Sequence, residues 1–300
     1  MEKITENTIW QKIHKNSHTY TAAMARQSST PGLITGGGIL YIDNGCFMRN
    51  GKVHEVILPP ECTIIGRQAF EACQFQKEVK FPETLRMIGD RAFAENHRLR
   101  RVHFPKLMSR IGKDCYKECN HLITAEFDRR SPMRVIPEGL FDSCVRLEQV
   151  TLPDRVEIIR QRAFYRCKEL KDLDFPKALR EIERESFYFC SLEELRLPKT
   201  LERIGDSAFF RCKMLREVKI PENVNYIGRW AFHGCSRLDV LEILHDPEYI
   251  GEWITNKSCT IRCCPGGKVD QYCEEYGLKR EYVQINRTIT EEAHEGTTGE

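Results

Sequence analysis

The 300-residue sequence contains no run of about 18 apolar residues, the length that a membrane-spanning helix requires. It also lacks an excess of either charge, because 46 Lys and Arg residues are balanced by 44 Asp and Glu residues, with a net charge of +2. Proteins that bind nucleic acids or anionic membranes usually carry clustered excess positive charge. We therefore expect neither nucleic-acid binding nor membrane insertion.

The amino-terminal residues lack the apolar segment of roughly 7–15 residues that marks a secretory signal peptide. We therefore expect a cytoplasmic protein, and the alternative is secretion or surface exposure by a route without a recognisable signal peptide. In the cytoplasm the 14 cysteines are expected to be thiols or metal ligands, because disulfides are rare there.

The motifs of common catalytic sites are also missing. The sequence has no Cys-x-x-Cys, no Gly-x-Ser-x-Gly and no His-Glu-x-x-His, and the three glycines at 36–38 lack the Gly-Lys-Ser/Thr ending of a phosphate-binding loop. We therefore expect a protein that is not an enzyme, with no catalytic residue, no cofactor and no metal ligand.

An internal repeat of about 23 residues dominates the rest of the sequence. Isoleucine recurs at positions 42, 65, 88, 111, 136, 159, 182, 204, 227 and 250. The first nine of these are followed, five residues later, by an aromatic residue: Phe47, Phe70, Phe93, Tyr116, Phe141, Phe164, Phe187, Phe209 and Phe232. Such a register predicts a repeat solenoid, in which each coil stacks on the next and buries its apolar face.

A single coil, residues 201–221, illustrates the expected local structure. Two short extended segments are predicted, one that ends at Ile204 and one that precedes Pro221. Between them Gly205 permits a bend, and the residues up to Cys212 suit a turn or a single turn of helix. Stacking such coils predicts a rod of about 9–10 coils with short parallel strands.

The motif resembles that of a known family. The segment LREVKIPENVNYIGRWAFHGC, residues 215–235, resembles the BspA-type leucine-rich repeat, and the resemblance covers roughly residues 40–282. The segment TIRCCPGGKVDQYCEEYGLK resembles the carboxyl-terminal cap of that family, a strand and a short helix joined by a Pro-Gly turn. The resemblance therefore implies a leucine-rich-repeat-like rod closed by such a cap, and a role in protein binding.

The repeat divides the sequence into four predicted parts. They are an amino-terminal arm or cap at 1–38, the solenoid at 39–250, the carboxyl-terminal cap at 251–284 and a disordered tail at 285–300. Two coils depart from the regular length. The segment DRRSPMRV, residues 128–135, contains two extra residues, and CSLEEL, residues 190–195, lacks one. We expect a bulge at the insertion, and both places are either tolerated changes in exposed turns or parts of a binding surface.

Seven cysteines recur at one position of the repeat: Cys73, Cys119, Cys144, Cys167, Cys190, Cys212 and Cys235. One cysteine per coil forms a line, so at most two can approach one metal ion, whereas a structural zinc site needs four converging ligands. We interpret this ladder as small buried residues, where a serine hydroxyl would lack an assured partner. Disulfides between neighbouring coils are one alternative. Another is a zinc site in the cap, with these ligands: Cys259, Cys263, Cys264 and Cys273.

Aromatic residues form the first candidate binding surface. The position that follows the aromatic core residue is itself aromatic in three consecutive coils, at Tyr165, Tyr188 and Phe210. Trp230 flanks these three residues. Exposed stacked aromatic rings are good anchors for a partner protein. A purely structural role for these rings is the alternative.

The strands provide the second candidate binding surface. One residue of each strand is expected to face outward between two inward residues, and this position has mixed charge: Lys80, His103, Glu126, Thr151, Asp174, Arg196, Lys219 and Glu242. A simple solvated face is the alternative.

The overall prediction is a non-enzymatic scaffold that binds an unidentified protein. A secreted or surface adhesin that binds host proteins, as some members of the family are, and a regulatory subunit acting through the amino-terminal arm are the alternatives.

Overall fold

The computed structural model describes residues 18–30, 32–34 and 38–283. Most of the predicted amino-terminal arm and the whole of the predicted tail at 285–300 therefore lie outside the described residues.

The described residues form 19 short strands and two helices. In chain order the strands are β1 (Thr19–Tyr20), β2 (Tyr41–Ile42), β3 (Ile64–Ile65), β4 (Glu78–Val79), β5 (Met87–Ile88), β6 (Arg101–Phe104), β7 (Arg110–Ile111), β8 (Thr124–Phe127), β9 (Val135–Ile136), β10 (Gln149–Thr151), β11 (Ile158–Ile159), β12 (Glu181–Ile182), β13 (Arg203–Ile204), β14 (Glu217–Lys219), β15 (Tyr226–Ile227), β16 (Val240–Glu242), β17 (Tyr249–Ile250), β18 (Thr260–Cys263) and β19 (Lys279–Tyr282). The helices are α1 (Ala22–Gln27) and α2 (Lys268–Tyr276).

The repeated isoleucines build the first parallel ladder, on one side of a rod. Strands β1, β2, β3, β5 and β7 form a five-stranded sheet, and β9, β11, β12, β13, β15 and β17 form a six-stranded one. Strand β1 places Tyr20 beside Ile42, and the Tyr20 ring stacks on Phe47 at a centroid distance of 5.9 Å. The rod thus has eleven coils rather than nine or ten, and the ladder begins within the segment predicted as an arm or cap.

A second parallel ladder lies on another side of the rod. It consists of two four-stranded sheets, β4–β6–β8–β10 and β14–β16–β18–β19. Between β10 and β14 the coils at 172–174 and 195–197 contain no strand, and the second of these follows the missing residue of CSLEEL.

The first ladder breaks between β7 and β9, at the two-residue insertion. There the buried Ser131 hydroxyl donates to the Met108 carbonyl at 2.6 Å. Both changes of coil length therefore coincide with an interruption in strand pairing.

The third side of the rod is built from turns, with no helical turn in the described coils 38–250. In the nine coils from Ile42 to Ile227, the third and seventh residues after the isoleucine have positive φ, for example 55° at Gln68 and 54° at Ala72. The N–H groups of Gln68 and Phe70 donate to the Asp90 and Ala92 carbonyls of the following coil at 2.9 and 2.8 Å. The same pattern recurs along the rod, so the turns form a third hydrogen-bonded side whose inter-coil N–H groups all point towards the carboxyl end.

The aromatic residues of the repeat stack inside the rod. The rings of Phe187, Phe209 and Phe232 lie 5.3 and 5.2 Å apart, and each pair is parallel to within 4°. All three side chains are fully buried. Nine consecutive coils, from Phe47 to Phe232, therefore each add one ring to a continuous aromatic column, whose burial supplies much of the hydrophobic stabilisation.

The carboxyl-terminal cap covers the last coil. The N-cap of α2 is Gly267, which has no side chain, and the Asp246 carboxylate instead accepts hydrogen bonds from the Lys268 and Val269 N–H groups at 2.7 and 3.4 Å. The Tyr272 hydroxyl accepts the Ile254 N–H at 3.0 Å. The predicted strand and short helix are both present, and the additional strand β19 pairs with β18.

Glycine follows the repeated isoleucine in six coils because neighbouring coils approach each other closely there: Gly66, Gly89, Gly112, Gly205, Gly228 and Gly251. A Cβ atom on Gly89 would lie 2.6 Å from the Arg67 backbone nitrogen. This atom belongs to the backbone and cannot move aside without shifting the coil.

Gly89→Ala is expected to lower the free energy of unfolding by about 2–3 kcal/mol, because the methyl group forces two coils apart. Gly51→Ala is the matched control, since no atom lies within 4 Å of a Cβ at that position, and it should change stability by less than about 0.5 kcal/mol. Urea unfolding followed by circular dichroism measures both values. Equal values for the two variants would contradict this account of the close approach.

Candidate functional site

The described residues offer few sites for chemistry. They contain no group of three or more His, Cys, Asp or Glu side chains that could hold a metal ion. In the same part of the chain, no helix is long and apolar enough to cross a membrane. The remaining candidate sites are the cysteine ladder and the outer surfaces of the rod.

The ladder thiols form hydrogen bonds inside the rod. Each donates to the backbone carbonyl of the aromatic core residue in the preceding coil, as Cys212 does to Phe187 at 3.1 Å and Cys235 to Phe209 at 3.2 Å. Asn96 occupies the same position in another coil, and its side-chain amide donates to the Phe70 carbonyl at 2.8 Å. The position therefore requires a small buried donor, which explains why cysteine and asparagine both occur there.

All fourteen cysteines lie in the described part of the chain as free thiols, and thirteen of them are buried. Burial raises the pKa of the Cys73 thiol to about 12, and that of the Cys212 thiol well above its usual value. Neutral, buried thiols are poor nucleophiles and poor metal ligands. The ladder thiols join neighbouring coils through hydrogen bonds. The expectation that a serine hydroxyl at the ladder position would lack a partner is therefore wrong.

Cys212→Ala should lower the free energy of unfolding by about 1–2 kcal/mol, because it removes both volume and a hydrogen bond. Cys212→Ser should cost less than Cys62→Ser by about 1 kcal/mol. Both cysteines are fully buried, but the Cys62 thiol is 3.7 Å from its acceptor, the Ile64 carbonyl, and the Cys212 thiol is 3.1 Å from its own. Chemical unfolding measures the difference, and equal costs would mean that the ladder hydrogen bond contributes nothing.

The three predicted aromatic residues do lie together on the turn side of the rod, and we call Tyr165, Tyr188 and Phe210 the aromatic strip. Neighbouring rings are 4.9 Å apart in both pairs and nearly parallel, at 15° and 11°. Each ring is half-buried, whereas the preceding residue of each coil points into the core. The strip therefore presents a row of ring edges to solvent.

The fourth predicted residue, Trp230, is not part of this stack. The ring that continues the strip is His233, 5.9 Å from Phe210. Trp230 occurs three residues earlier in its coil, is 39% exposed, and has the Arg229 guanidinium 4.6 Å from its ring centroid. The structure thus brings three of the four residues together.

Residues that the sequence interpretation missed border the strip. The Phe189 ring lies 5.0 Å from the Tyr188 ring. The guanidinium groups of Arg166 and Arg211 each lie 5.5 Å from a strip ring, those of Tyr165 and Phe210 respectively. These three residues share the seventh position after the repeated isoleucine, where φ is positive, between 57° and 61°, and where the repeat has no fixed residue type that could have indicated them.

The strand surface differs from the expected continuous stripe. Six of its eight predicted residues are exposed, and Thr151 and Glu242 are partly buried. Several of its polar groups already contact each other: the His103 ring lies 3.6 Å from the Glu126 carboxylate, and Lys219 forms an ion pair with Glu242 at 3.6 Å. The interruption between β10 and β14 divides the stripe, and there Arg129 of the insertion pairs with Asp174 at 3.3 Å. Arg196 pairs with Glu194.

A further aromatic pair lies on the isoleucine side and was not predicted. The rings of Tyr226 and Tyr249 stack at 4.6 Å, and the Arg203 guanidinium is 3.4 Å from the Tyr226 centroid. Tyr249 is 46% exposed. Both tyrosines directly precede a repeated isoleucine. This position holds Tyr41 in one distant coil and non-aromatic residues in the others, so the sequence pattern gave little indication of a pair here.

Parallel ladders, coils of about 23 residues and an internal aromatic column together define a leucine-rich repeat solenoid. Residues 40–133 and 134–262 match the family model described as the BspA type leucine rich repeat region, in 6 copies. The chain belongs to this family. No curated protein matches the chain.

One solved structure shows the same fold at a TM-score above 0.5, and two others are more distantly similar. A leucine-rich repeat protein from Bacteroides ovatus is 20% identical, has a TM-score of 0.65, and matches 82% of this chain and 66% of that protein. One from Eubacterium ventriosum is 22% identical, with a TM-score of 0.49 over 60% of this chain and 44% of that protein. The pneumococcal vaccine antigen PcpA is 15% identical, with a TM-score of 0.48 over 90% and 84%. The chain thus spans 66% of the length of the first protein and 44% of the second.

Proposed function

We propose that the protein is a non-enzymatic scaffold that binds another protein through the aromatic strip. The observation that carries this proposal is the stack of three half-buried rings at 4.9 Å, bordered by the guanidinium groups of Arg162, Arg166 and Arg211. Stacked rings held by neighbouring coils are already ordered, so a partner that covers them loses little side-chain entropy on binding. Tyrosine and arginine are also the residues that most often dominate binding energy at interfaces.

The strand surface is a weaker candidate because of its charges. Exposed ion pairs within one molecule contribute little to its stability, and a partner must break or desolvate them before it gains new contacts. The aromatic strip requires less rearrangement. Of the three arginines that border its rings, Arg162 pairs with Glu185 at 2.6 Å, whereas Arg166 and Arg211 have no carboxylate within ion-pair distance among the described residues 38–283. The strip is therefore the better anchor for a partner protein.

Replacement of all three strip residues, Tyr165, Tyr188 and Phe210, by Ser should reduce partner capture from cell extract at least about tenfold. The rod should stay folded, because the core rings of the same coils remain in place. Capture by the immobilised full chain, followed by mass spectrometry, measures the first effect, and circular dichroism measures the second. If the triple variant unfolds, the strip rings are structural and the proposal fails.

Two further variants test which surface binds. Tyr226→Ser with Tyr249→Ser removes a different stacked aromatic pair, and it should leave capture unchanged. The strand-surface variant changes four basic residues to Ser: Lys80, His103, Arg196 and Lys219. It should weaken capture by less than about twofold, and mainly at low salt, because its charges are exposed and screened. Loss of capture in the strand-surface variant alone would move the binding site to the strands.

We also propose that the protein folds in the cytoplasm. The buried thiols are protected once the rod has formed, but the unfolded chain exposes all fourteen, and an oxidising compartment would link them in non-native pairs. Refolding from urea should give a markedly higher yield of native protein in reduced than in oxidised glutathione. Equal yields would remove this argument and favour the secreted or surface alternative. A role through the amino-terminal arm concerns residues that lie mostly outside the described part of the chain.

A further inference from the structure

The border of the aromatic strip has a regular charge pattern over three consecutive coils. The first row is the seventh position after the isoleucine, with Arg166, Phe189 and Arg211. The second row lies two positions later in the same coils, with Lys168, Ser191 and Lys213. Both rows therefore place a cation in the first and third coils and a neutral residue in the second. All four cationic side chains are exposed.

These four cations are not neutralised within the rod. In the described part of the chain, none of them has a carboxylate within ion-pair distance, although many other arginines do. The nearby Glu185 carboxylate is held by Arg162 at 2.6 Å and by Arg184 at 2.9 Å. On the isoleucine side of the same coils, Arg180 pairs with Glu202 at 2.7 Å. The positive charge beside the strip is thus available to a partner.

The spacing of these cations fits an extended chain. Neighbouring coils are separated by about 4.8 Å, so Arg166 and Arg211, two coils apart, are separated by about 10 Å along the rod. A polypeptide in the extended polyproline II conformation advances about 3.1 Å per residue with three residues per turn, so residues three apart lie on one face, about 9 Å from each other. Two acidic side chains three residues apart can therefore reach both guanidinium groups at once. The residues between them pass over the Tyr188 and Phe189 rings, which are apolar and in mutual contact.

We propose that the aromatic strip binds an extended acidic segment of a partner protein. Two carboxylates of the segment, three residues apart, pair with Arg166 and Arg211, and an apolar side chain between them packs on Tyr188 and Phe189. Lys168 and Lys213 add to the favourable potential without fixing the register. This proposal rests on the proposed function, because it names the class of partner that the same surface accepts.

The probe is a fluorescein-labelled peptide of sequence Gly-Glu-Phe-Ser-Glu-Gly, which carries the required spacing. It should bind the full chain with a Kd of about 0.1 mM at low salt, measured by fluorescence anisotropy. Affinity should fall steeply with added salt, because both ion pairs are exposed. Replacing both glutamates of the peptide by glutamine, or placing them side by side, should weaken binding at least about tenfold.

Matched variants of the protein locate the binding site. Arg166→Gln with Arg211→Gln should weaken peptide binding at least about tenfold. Arg155→Gln with Arg216→Gln removes the same charge from exposed arginines elsewhere on the rod, and it should change the affinity by less than about twofold. Circular dichroism checks that both double variants remain folded.

Three results would overturn the inference. They are the absence of peptide binding up to about 1 mM, equal binding by the two double variants, and tighter Arg166-dependent binding of an oligothymidylate of about 12 nucleotides, which would identify a nucleic-acid site. The first two leave the proposed function intact if the aromatic triple variant still loses capture of its partner. Loss of peptide binding in Arg166→Gln with Arg211→Gln, together with normal partner capture by the aromatic triple variant, would instead refute the proposed function alone.

Discussion

Backbone hydrogen bonds between successive coils, on all three sides of the rod, are the constraint on which the rest of the structure depends. A coil satisfies them only if its backbone follows that of its neighbours closely. Close approach favours glycine after the isoleucine, as at Gly89 and in five other coils, and it places an aromatic ring directly on the preceding ring. The carbonyl of each core aromatic residue also faces the next coil, where the Cys212 thiol and its equivalents meet it. One geometric requirement, the close stacking of successive coils, therefore accounts for the residue types that recur in the repeat.

Periodicity alone predicted the features that this constraint makes identical in every coil. The isoleucine ladder, the aromatic column and the burial of the ladder cysteines were all predicted, and the family comparison confirmed the fold. The first coil escaped prediction because Tyr20 replaces isoleucine there. The hydrogen bonds of the ladder thiols were not predicted. A cysteine that is only buried and a cysteine that is buried and also donates a hydrogen bond give the same sequence pattern. The two changes of coil length were visible in the sequence, but periodicity does not specify whether a turn absorbs such a change or strand pairing is interrupted by it.

Outward positions of the repeat are free of the packing constraint, and this is where coils differ from one another. On the strand side the variation produces mutually neutralising pairs, such as Lys219 with Glu242. On the turn side, three adjacent coils instead accumulate rings and unpaired cations around Tyr188. Periodicity located the strip itself, since its rings share one position. It did not locate Phe189 or Arg211. Their position has left-handed backbone in the structure, but its residue type varies from coil to coil, so the repeat pattern does not mark it.

The uniform direction of the hydrogen bonds on the turn side gives the rod chemically different ends. Each internal coil offers N–H groups to the coil that follows and carbonyl groups to the coil that precedes it. Near the carboxyl end, side chains take over as acceptors, with Asn256 receiving the Gly234 N–H and the Tyr272 hydroxyl receiving that of Ile254. An internal coil can thus be duplicated or deleted without loss of any donor–acceptor match, whereas the cap fits one end alone. The architecture can change length in evolution by whole coils, with the cap kept as a fixed terminus.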